Sequence, residues 1–142
     1  MIAKDEVAQF RAEIRPKPVF CVIEHIHRNR GVADAVCAGE FTENGVTLSP
    51  GIPPDWLRDG LPQDQEWRIA WSKFYFGLDL AAAYSETGEP RFLRTWEILV
   101  DSWMRQVPVT CGPTDAIARR IQNWIYGYHL QKMRMRNNLR PV

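Results

Sequence analysis

The sequence predicts a mostly α-helical fold, in which antiparallel helical hairpins form a two-layer array with a short β segment near the N-terminus. From residue 65 to near the C-terminus, apolar residues recur at the three- and four-residue spacing of a helix face. Gly88 and Pro90 separate two of these runs, since glycine suits the end of one helix and proline the start of the next. The helices are apolar on two faces, then on one, then again rich in apolar residues, which is typical of inner, outer and inner layers.

Three helices carry the array. The first spans about 65–86 and has a stripe through Trp67, Trp71 and Phe74 and another on its opposite side, so we expect it to be packed on two sides. The second spans about 91–106 and has one apolar face, which makes Trp96 and Trp103 core residues between the layers. The third spans about 114–131 and places its apolar residues on one face. The members of that face are Ile117, Ile121, Trp124, Ile125 and Tyr128. The array is a toroid or a solenoid, and the lack of a clean repeat argues against a regular solenoid.

The part of the chain before this array predicts shorter elements. Residues 3–15 have the pattern of an amphipathic helix that ends at two prolines, and residues 19–29 have a mixed, helical character. In GEFTENGVTLS, residues 39–49, the Asn44-Gly45 pair predicts a β-hairpin. A loop rich in proline and glycine follows, and its Trp56 either pins the loop to the domain or presents a binding surface.

Length and composition fit one soluble globular domain, or part of a larger one. The 142 residues are 45% apolar and 25% charged, and the formal net charge is +1. Because no strong overall field attracts a polyanion or a membrane, we expect neither nucleic acid nor membrane as a partner. No acidic residue follows Asp115, and the segment after it is strongly basic. This basic end either meets a polyanion or is a solvated helix C-terminus, which cations stabilise. Its cations are Arg119, Arg120, Lys132, Arg134, Arg136 and Arg140.

Cysteine and histidine spacing indicates no cofactor and no metal. Cys21, Cys37 and Cys111 form no CxxC motif and no disulfide framework, so we expect buried free thiols. His25 and His27 are two positions apart and do not share a helix face. The N-terminal stretch as far as position 15 is charged throughout, unlike a signal peptide, and predicts a cytoplasmic location unless the true start lies upstream.

Three stretches carry an ordered set of motifs within about residues 33–130. They are GEFTENGVTLSPGIPPDW, EWRIAWSKFYFGLDLAAAYSETGEPRFLRTWEILVDSW and RRIQNW. Together they resemble the N-terminal helical domain of the heparinase II/III-like polysaccharide lyases. That family shows a short β segment, a Pro-Asp-Trp loop, an aromatic helix, a Thr-Gly turn, a helix ending in Trp and an R-x-x-x-W helix. The parts that match after the β segment are Pro54-Asp55-Trp56, Glu66-Trp67, Tyr84 to Gly88, Trp103, and Arg120 with Trp124.

The resemblance implies a partial (α/α) toroid and an incomplete protein. It divides the chain into a helical lead-in (1–32), a toroid segment (33–131) and a basic tail (132–142). Family members continue through more helical hairpins into a β-sandwich and are often periplasmic or secreted, whereas QKMRMRNNLRPV does not resemble that continuation. We therefore expect a fragment, a truncated reading frame or half of a split gene, with the missing C-terminal half as a candidate partner chain.

The resemblance also implies a chemistry, the cleavage of uronic-acid polysaccharides by β-elimination. Such a site neutralises the uronate carboxylate, removes the C5 proton and protonates the leaving oxygen. In the family a polar residue, often Asn, precedes the R-x-x-x-W helix, but residues 109–114 contain no Asn. A full catalytic set cannot be assembled here, so no catalytic residue is assigned and we expect the isolated chain to be inactive.

Five residues are candidates for binding an anionic polysaccharide. Arg120 flanks the apolar stripe of its helix, so it either reaches a cleft or forms an ion pair with Glu66, Asp79 or another acid of the adjacent helix. Asn123 lies nearby, off that apolar face. The other candidates are tryptophans whose rings could stack on sugars: Trp67, Trp71 and Trp56.

Two functions from different classes follow from these observations. The first is the N-terminal part of a polysaccharide lyase, inactive by itself. The second is a non-catalytic helical module that binds an anionic polysaccharide or a protein partner.

Overall fold

The computed structural model describes residues 29–57 and 65–139, and this part of the chain is mostly helical with one small antiparallel sheet. The mostly helical fold with a short β segment is therefore confirmed. The elements are α1 (Arg30–Cys37), β1 (Phe41–Glu43), β2 (Val46–Leu48), α2 (Gln65–Ser72), α3 (Tyr75–Thr87), α4 (Pro90–Gln106) and α5 (Thr114–Leu139). Three features of the sequence analysis lie outside the described residues: the helix expected at 3–15, the pair His25 and His27, and Cys21.

The predicted hairpin is present where the Asn-Gly pair places it. Strands β1 and β2 pair antiparallel, and the turn residues Asn44 and Gly45 both have positive φ, 50° and 77°. Two positive φ values give the turn a twist that matches paired strands, and Asn and Gly adopt them at little cost. Thr42 and Thr47 face each other across the ladder with their hydroxyl oxygens 2.7 Å apart.

The single helix predicted over 65–86 is wrong, because the chain breaks between α2 and α3. Phe74 lies at the break with φ 60° and ψ 37°, a left-handed conformation that L-residues with a Cβ rarely adopt. Its ring is fully buried, with Trp103 and Trp124 edge-on at 5.5 and 5.3 Å between ring centroids. Burial of the phenyl ring offsets a strain of about 1–3 kcal/mol for such a backbone.

Helix α3 is the centre of the fold and packs against α1, α4 and α5. Leu78, Leu80 and Ala81 have no exposed surface, so the prediction of packing on two sides is confirmed for this helix. Gly88 ends α3 in a left-handed conformation with φ 70°. Its N–H donates to the Tyr84 carbonyl at 2.8 Å. The turn is tight enough that Pro90 is already the first residue of α4.

Arg134, from the last turns of α5, covers that end of α3. Its Nη1 donates to the Ser85 carbonyl at 3.3 Å. Its Nη2 also lies against Gly88, only 2.7 Å from where a Cβ on that glycine would be. The C-terminal end of α3 is therefore closed by a guanidinium from another helix.

Trp96 and Trp103 are buried, as expected for core residues between layers. The Trp96 indole lies against glycines of two other helices, Gly77 of α3 and Gly127 of α5. A Cβ at these two positions would be 3.4 and 2.9 Å from the indole Nε1. The two glycines thus let α3, α4 and α5 approach one another around a single indole.

Helix α5 departs most from its predicted form. It continues to Leu139, well beyond the predicted end at 131. Ile121, Ile125 and Tyr128 are 47, 47 and 53% exposed, so this apolar side of α5 faces away from the rest of the described fold. The side of α5 that packs inwards instead carries the buried residues Ala116, Arg120, Asn123, Gly127 and Gln131.

Candidate functional site

A cavity of about 210 Å³ lies beside α2, between the Trp56 loop and the segment that follows α4. We call it the indole pocket, because three tryptophans contribute to its walls. Its apolar lining residues are Trp56, Leu57, Ile69, Trp71, Trp103 and Val107. Gln65, Arg68, Ser72 and Cys111 add polar atoms, and Gly112 and Pro113 complete the lining among the described residues.

The Trp56 loop is pinned to α4 by three hydrogen bonds. The Trp56 indole N–H donates to Ser102 Oγ at 2.9 Å, and its backbone N–H donates to Gln106 Oε1 at 3.0 Å. The same Gln106 amide donates back to the Pro54 carbonyl at 3.2 Å. Trp56 therefore both anchors its loop and lines the pocket, so the two interpretations of this residue are compatible.

The tryptophan walls are tightly packed against each other. The Trp56 ring centroid lies 4.3 Å from that of Trp71 and 5.0 Å from that of Trp103. Trp71 is only 1% exposed, and its indole N–H has no acceptor among the described residues. A buried donor without a partner costs about 1–3 kcal/mol.

Trp67, in contrast, lies outside the pocket. It has no exposed surface, and its Nε1 donates to the Val46 carbonyl at 3.0 Å, which joins α2 to the hairpin. In this structure the Trp67 ring offers no free face for stacking on a sugar.

Arg120 is buried behind the pocket wall rather than in it. Its guanidinium lies 4.4 Å from the Trp103 ring centroid, and its Nη1 donates to the Ser72 carbonyl at 3.0 Å. Burial lowers the pKa of Arg120 below its ordinary value, while the nearby Cys111 acts in the opposite direction. The contacts described for the Arg120 guanidinium are thus with a backbone carbonyl and with an aromatic ring.

Asn123 makes the matching contact three residues along α5. It is 2% exposed, and its Nδ2 donates to the Lys73 carbonyl at 2.8 Å. Since the last carbonyls of a helix lack partners within that helix, Arg120 and Asn123 supply donors at the break between α2 and α3. Both side chains hold the backbone immediately before Phe74.

The structure thus brings together two of the five predicted residues, Trp56 and Trp71, at one pocket. Substrate binding by all five stays a prediction. Sequence reasoning missed the four polar residues of the lining, Gln65, Arg68, Ser72 and Cys111. A signal existed for Arg68, which precedes Trp71 by three residues and so shares its helix face. Cys111 is a free thiol, as expected, but it is exposed rather than buried.

A second cavity of about 460 Å³ lies between α1, β1 and α3, and its described lining includes three carboxyl residues, Glu40, Glu43 and Asp79. Burial, followed by repulsion from Asp79, raises the pKa of Glu43 from its ordinary value of 4.5 to about 7, against the opposite effect of Lys73. Asp79 also accepts a hydrogen bond from the Asn29 backbone N–H at 2.9 Å. Glu43 therefore exchanges its proton near neutral pH. In the described part of the chain, His, Cys, Asp and Glu side chains form no group of three or more that could hold a metal ion.

The fold and the pocket define a helical domain with a small β-hairpin and an aromatic cavity beside the break between α2 and α3. The chain matches the model of the heparinase II/III N-terminus over residues 9–135 and belongs to that family. Comparison with curated proteins and with solved structures finds no match. Within the described residues, no helix is both long and apolar enough to cross a bilayer.

Proposed function

We propose that this chain is the N-terminal helical part of a polysaccharide lyase system and binds uronic-acid polysaccharides, with one sugar ring in the indole pocket. The observation that carries the proposal is the family match over residues 9–135. The pocket supports it independently, because an aromatic wall with a few polar groups suits a sugar, which has both apolar ring faces and hydroxyls.

The size and polarity of the pocket favour a single ring. Its volume of about 210 Å³ is below the roughly 300–1,000 Å³ of pockets that enclose drug-sized ligands. Trp103 supplies part of the aromatic wall, and the Gln65 amide can both donate and accept. A sugar ring that packs its apolar face against this wall and offers hydroxyls to Gln65 would satisfy both features.

Arg68 gives the pocket its preference for an anionic sugar. It is the one cationic side chain among the described lining residues, and a guanidinium makes a planar, two-pronged contact with a carboxylate. We propose that Arg68, rather than the buried Arg120, contacts the uronate carboxylate.

The same lining supports binding without catalysis. β-Elimination needs a base for the C5 proton and an acid for the leaving oxygen. Among the described lining residues there is no Tyr, His, Asp or Glu. We propose that the described helices are an arc of an (α/α) toroid and that the proton-transferring groups lie elsewhere in the lyase system.

Calorimetric titration of the full chain tests this function. The ligands are a uronate oligosaccharide, such as one from alginate or heparin, and the same oligosaccharide with its carboxyls reduced to alcohols. We expect the uronate to bind more tightly, Arg68→Ala to remove that preference, and Arg94→Ala, an exposed arginine on α4, to leave it unchanged. The ultraviolet absorbance of unsaturated uronate should not increase.

Equal affinity for the charged and reduced oligosaccharides would contradict the role of Arg68. No binding of either, by a chain with a cooperative melt, would overturn the proposal. Production of unsaturated uronate by the isolated chain would contradict the separation of binding from catalysis.

A further inference from the structure

An apolar stripe runs along the outward side of α5. It consists of Ala118, Ile121, Ile125 and Tyr128, and we call it the α5 stripe. The side chains of both isoleucines and of the tyrosine are about half exposed, and Ala118 is exposed as well. Their spacing of three, four and three residues is that of a helix seam that packs against another helix. Among the described residues no element covers the stripe.

The stripe is complementary to itself when two copies meet antiparallel. If the two-fold axis passes near position 123, Ile121 of one copy lies opposite Ile125 of the other. Ala118 then lies opposite Tyr128 of the second copy, so the smallest residue of the stripe meets the largest. A surface groove of about 330 Å³, lined by Ala118, Ile121, Gln122, Ile125 and Tyr126, gives room for that tyrosine ring.

Charge at the ends of the stripe selects the same orientation. Asp115 lies in the first turn of α5, whereas Lys132 extends the stripe by four residues towards the C-terminus. The Lys132 ammonium lies 5.8 Å from the Tyr128 ring centroid, at the cationic end of the stripe. An antiparallel pair places Lys132 of one copy near Asp115 of the other, whereas a parallel pair would bring the two lysines together.

We propose that the α5 stripe binds the α5 stripe of a second copy of this chain in an antiparallel, two-fold symmetric dimer. Such an interface uses the same surface on both copies and closes on itself. Because one stripe contributes few residues compared with the roughly 20–30 per side of a standard stable interface, the dimer is reversible and depends on concentration. The proposal is independent of the indole pocket and of polysaccharide binding.

Sedimentation velocity of the full chain over a wide concentration range tests the dimer. We expect the average mass to rise from that of one chain towards that of two. Ile125→Lys should raise the dimer dissociation constant about tenfold or more, since it places an ammonium in the apolar seam. Met104→Lys, a matched change at a methionine 60% exposed on α4, should leave it unchanged.

A charge exchange tests the antiparallel orientation. Asp115→Lys and Lys132→Asp should each weaken the dimer, and the double variant should recover it because each new lysine again meets an aspartate. Thermal melts of the same variants check that each remains folded. A monomer at every concentration overturns the proposal, as does a dimer that Ile125→Lys leaves intact. A dimer that the double variant fails to restore contradicts the antiparallel orientation.

Discussion

Helices α4 and α5 each have an apolar side and a polar side, but α4 buries its apolar side whereas α5 buries its polar side. Helix α4 buries Phe92, Trp96 and Leu99 and keeps its charged residues in solvent. Helix α5 buries Arg120 and Asn123 and exposes Ile121 and Ile125. The difference lies in what each helix meets in the fold.

Helix α4 packs along the side of α3, whose surface is apolar, so apolar side chains fit between them. Helix α5 also reaches the ends of other helices, where backbone carbonyls lack partners within their own helix. Arg120, Asn123 and Arg134 donate to the carbonyls of residues 72, 73 and 85, respectively. A helix that covers helix ends has to bury donors, and its own apolar side remains for another contact.

The largest effect should follow from Arg120→Ala. The variant loses the bond to the Ser72 carbonyl and the stacking on Trp103, so we expect the free energy of unfolding to fall by about 3 kcal/mol. Chemical denaturation measures this loss. Arg119→Ala, at the exposed neighbour, should change it by about 0.5 kcal/mol or less. Equal losses for both variants would show that the buried side of α5 does not support the fold.

A smaller loss is expected from Gly127→Ala. The added methyl would be 2.9 Å from the Trp96 indole nitrogen, so the helices must shift at a cost of about 2 kcal/mol. Gly77→Ala, on the other side of the same indole, adds its methyl at 3.4 Å and should cost less. Thermal denaturation of the pair measures the difference. If the Gly77 variant were the less stable of the two, the close contact between α4 and α5 would not be as described.

Glu43 extends the comparison to a half-buried carboxyl that is repelled by a like charge, that of Asp79. Because its pKa is raised to about 7 in the folded state, the folded chain binds the proton more tightly than the unfolded chain, whose carboxyl has the ordinary value of 4.5. Stability should therefore decrease as pH rises from about 4.5 to about 7, by the contribution of this group. Glu43→Gln should reduce this slope and stabilise the chain above pH 7. Melting temperatures across this range measure the effect, and an unchanged slope would contradict it.

The smallest effect on the folded monomer is expected on the exposed side of α5. Ile125→Gln changes a side chain that is 47% exposed, so the free energy of unfolding of the dilute chain should change by about 0.5 kcal/mol or less. Denaturation at a concentration where the chain is monomeric measures it. A loss as large as that for Gly127→Ala would mean that part of the same chain covers the stripe.

Elements set by local chemistry were predictable from the sequence. The Asn44-Gly45 turn, the Gly88 helix end and the Pro90 start depend on the conformations of those residues themselves. The break at Phe74 was not predictable, because a phenylalanine adopts a left-handed conformation only when its surroundings enforce it. The burial of the polar side of α5 was also not predictable, because hydrophobic periodicity carries no information about backbone carbonyls that come from distant segments.

The residues of the candidate site can also be separated into those that the sequence could predict and those that it could not. Trp56 and Trp71 were predictable because large aromatics in a loop and on a helix face suggest a binding wall. Arg120 was identified for its charge, but its position depends on the carbonyl of Ser72, 48 residues away in sequence. Arg68 was missed because a single arginine on an aromatic helix does not differ from a solvated surface charge.

The contact between Gly88 and Arg134 restricts which residues evolution can use at position 88. Where a helix ends in a left-handed residue, asparagine is the usual substitute for glycine because it tolerates that backbone. Here a Cβ at position 88 would lie 2.7 Å from Nη2 of Arg134, the far end of a flexible side chain. Asparagine at 88 therefore displaces this guanidinium, and the cost is the hydrogen bond that Arg134 donates to the Ser85 carbonyl.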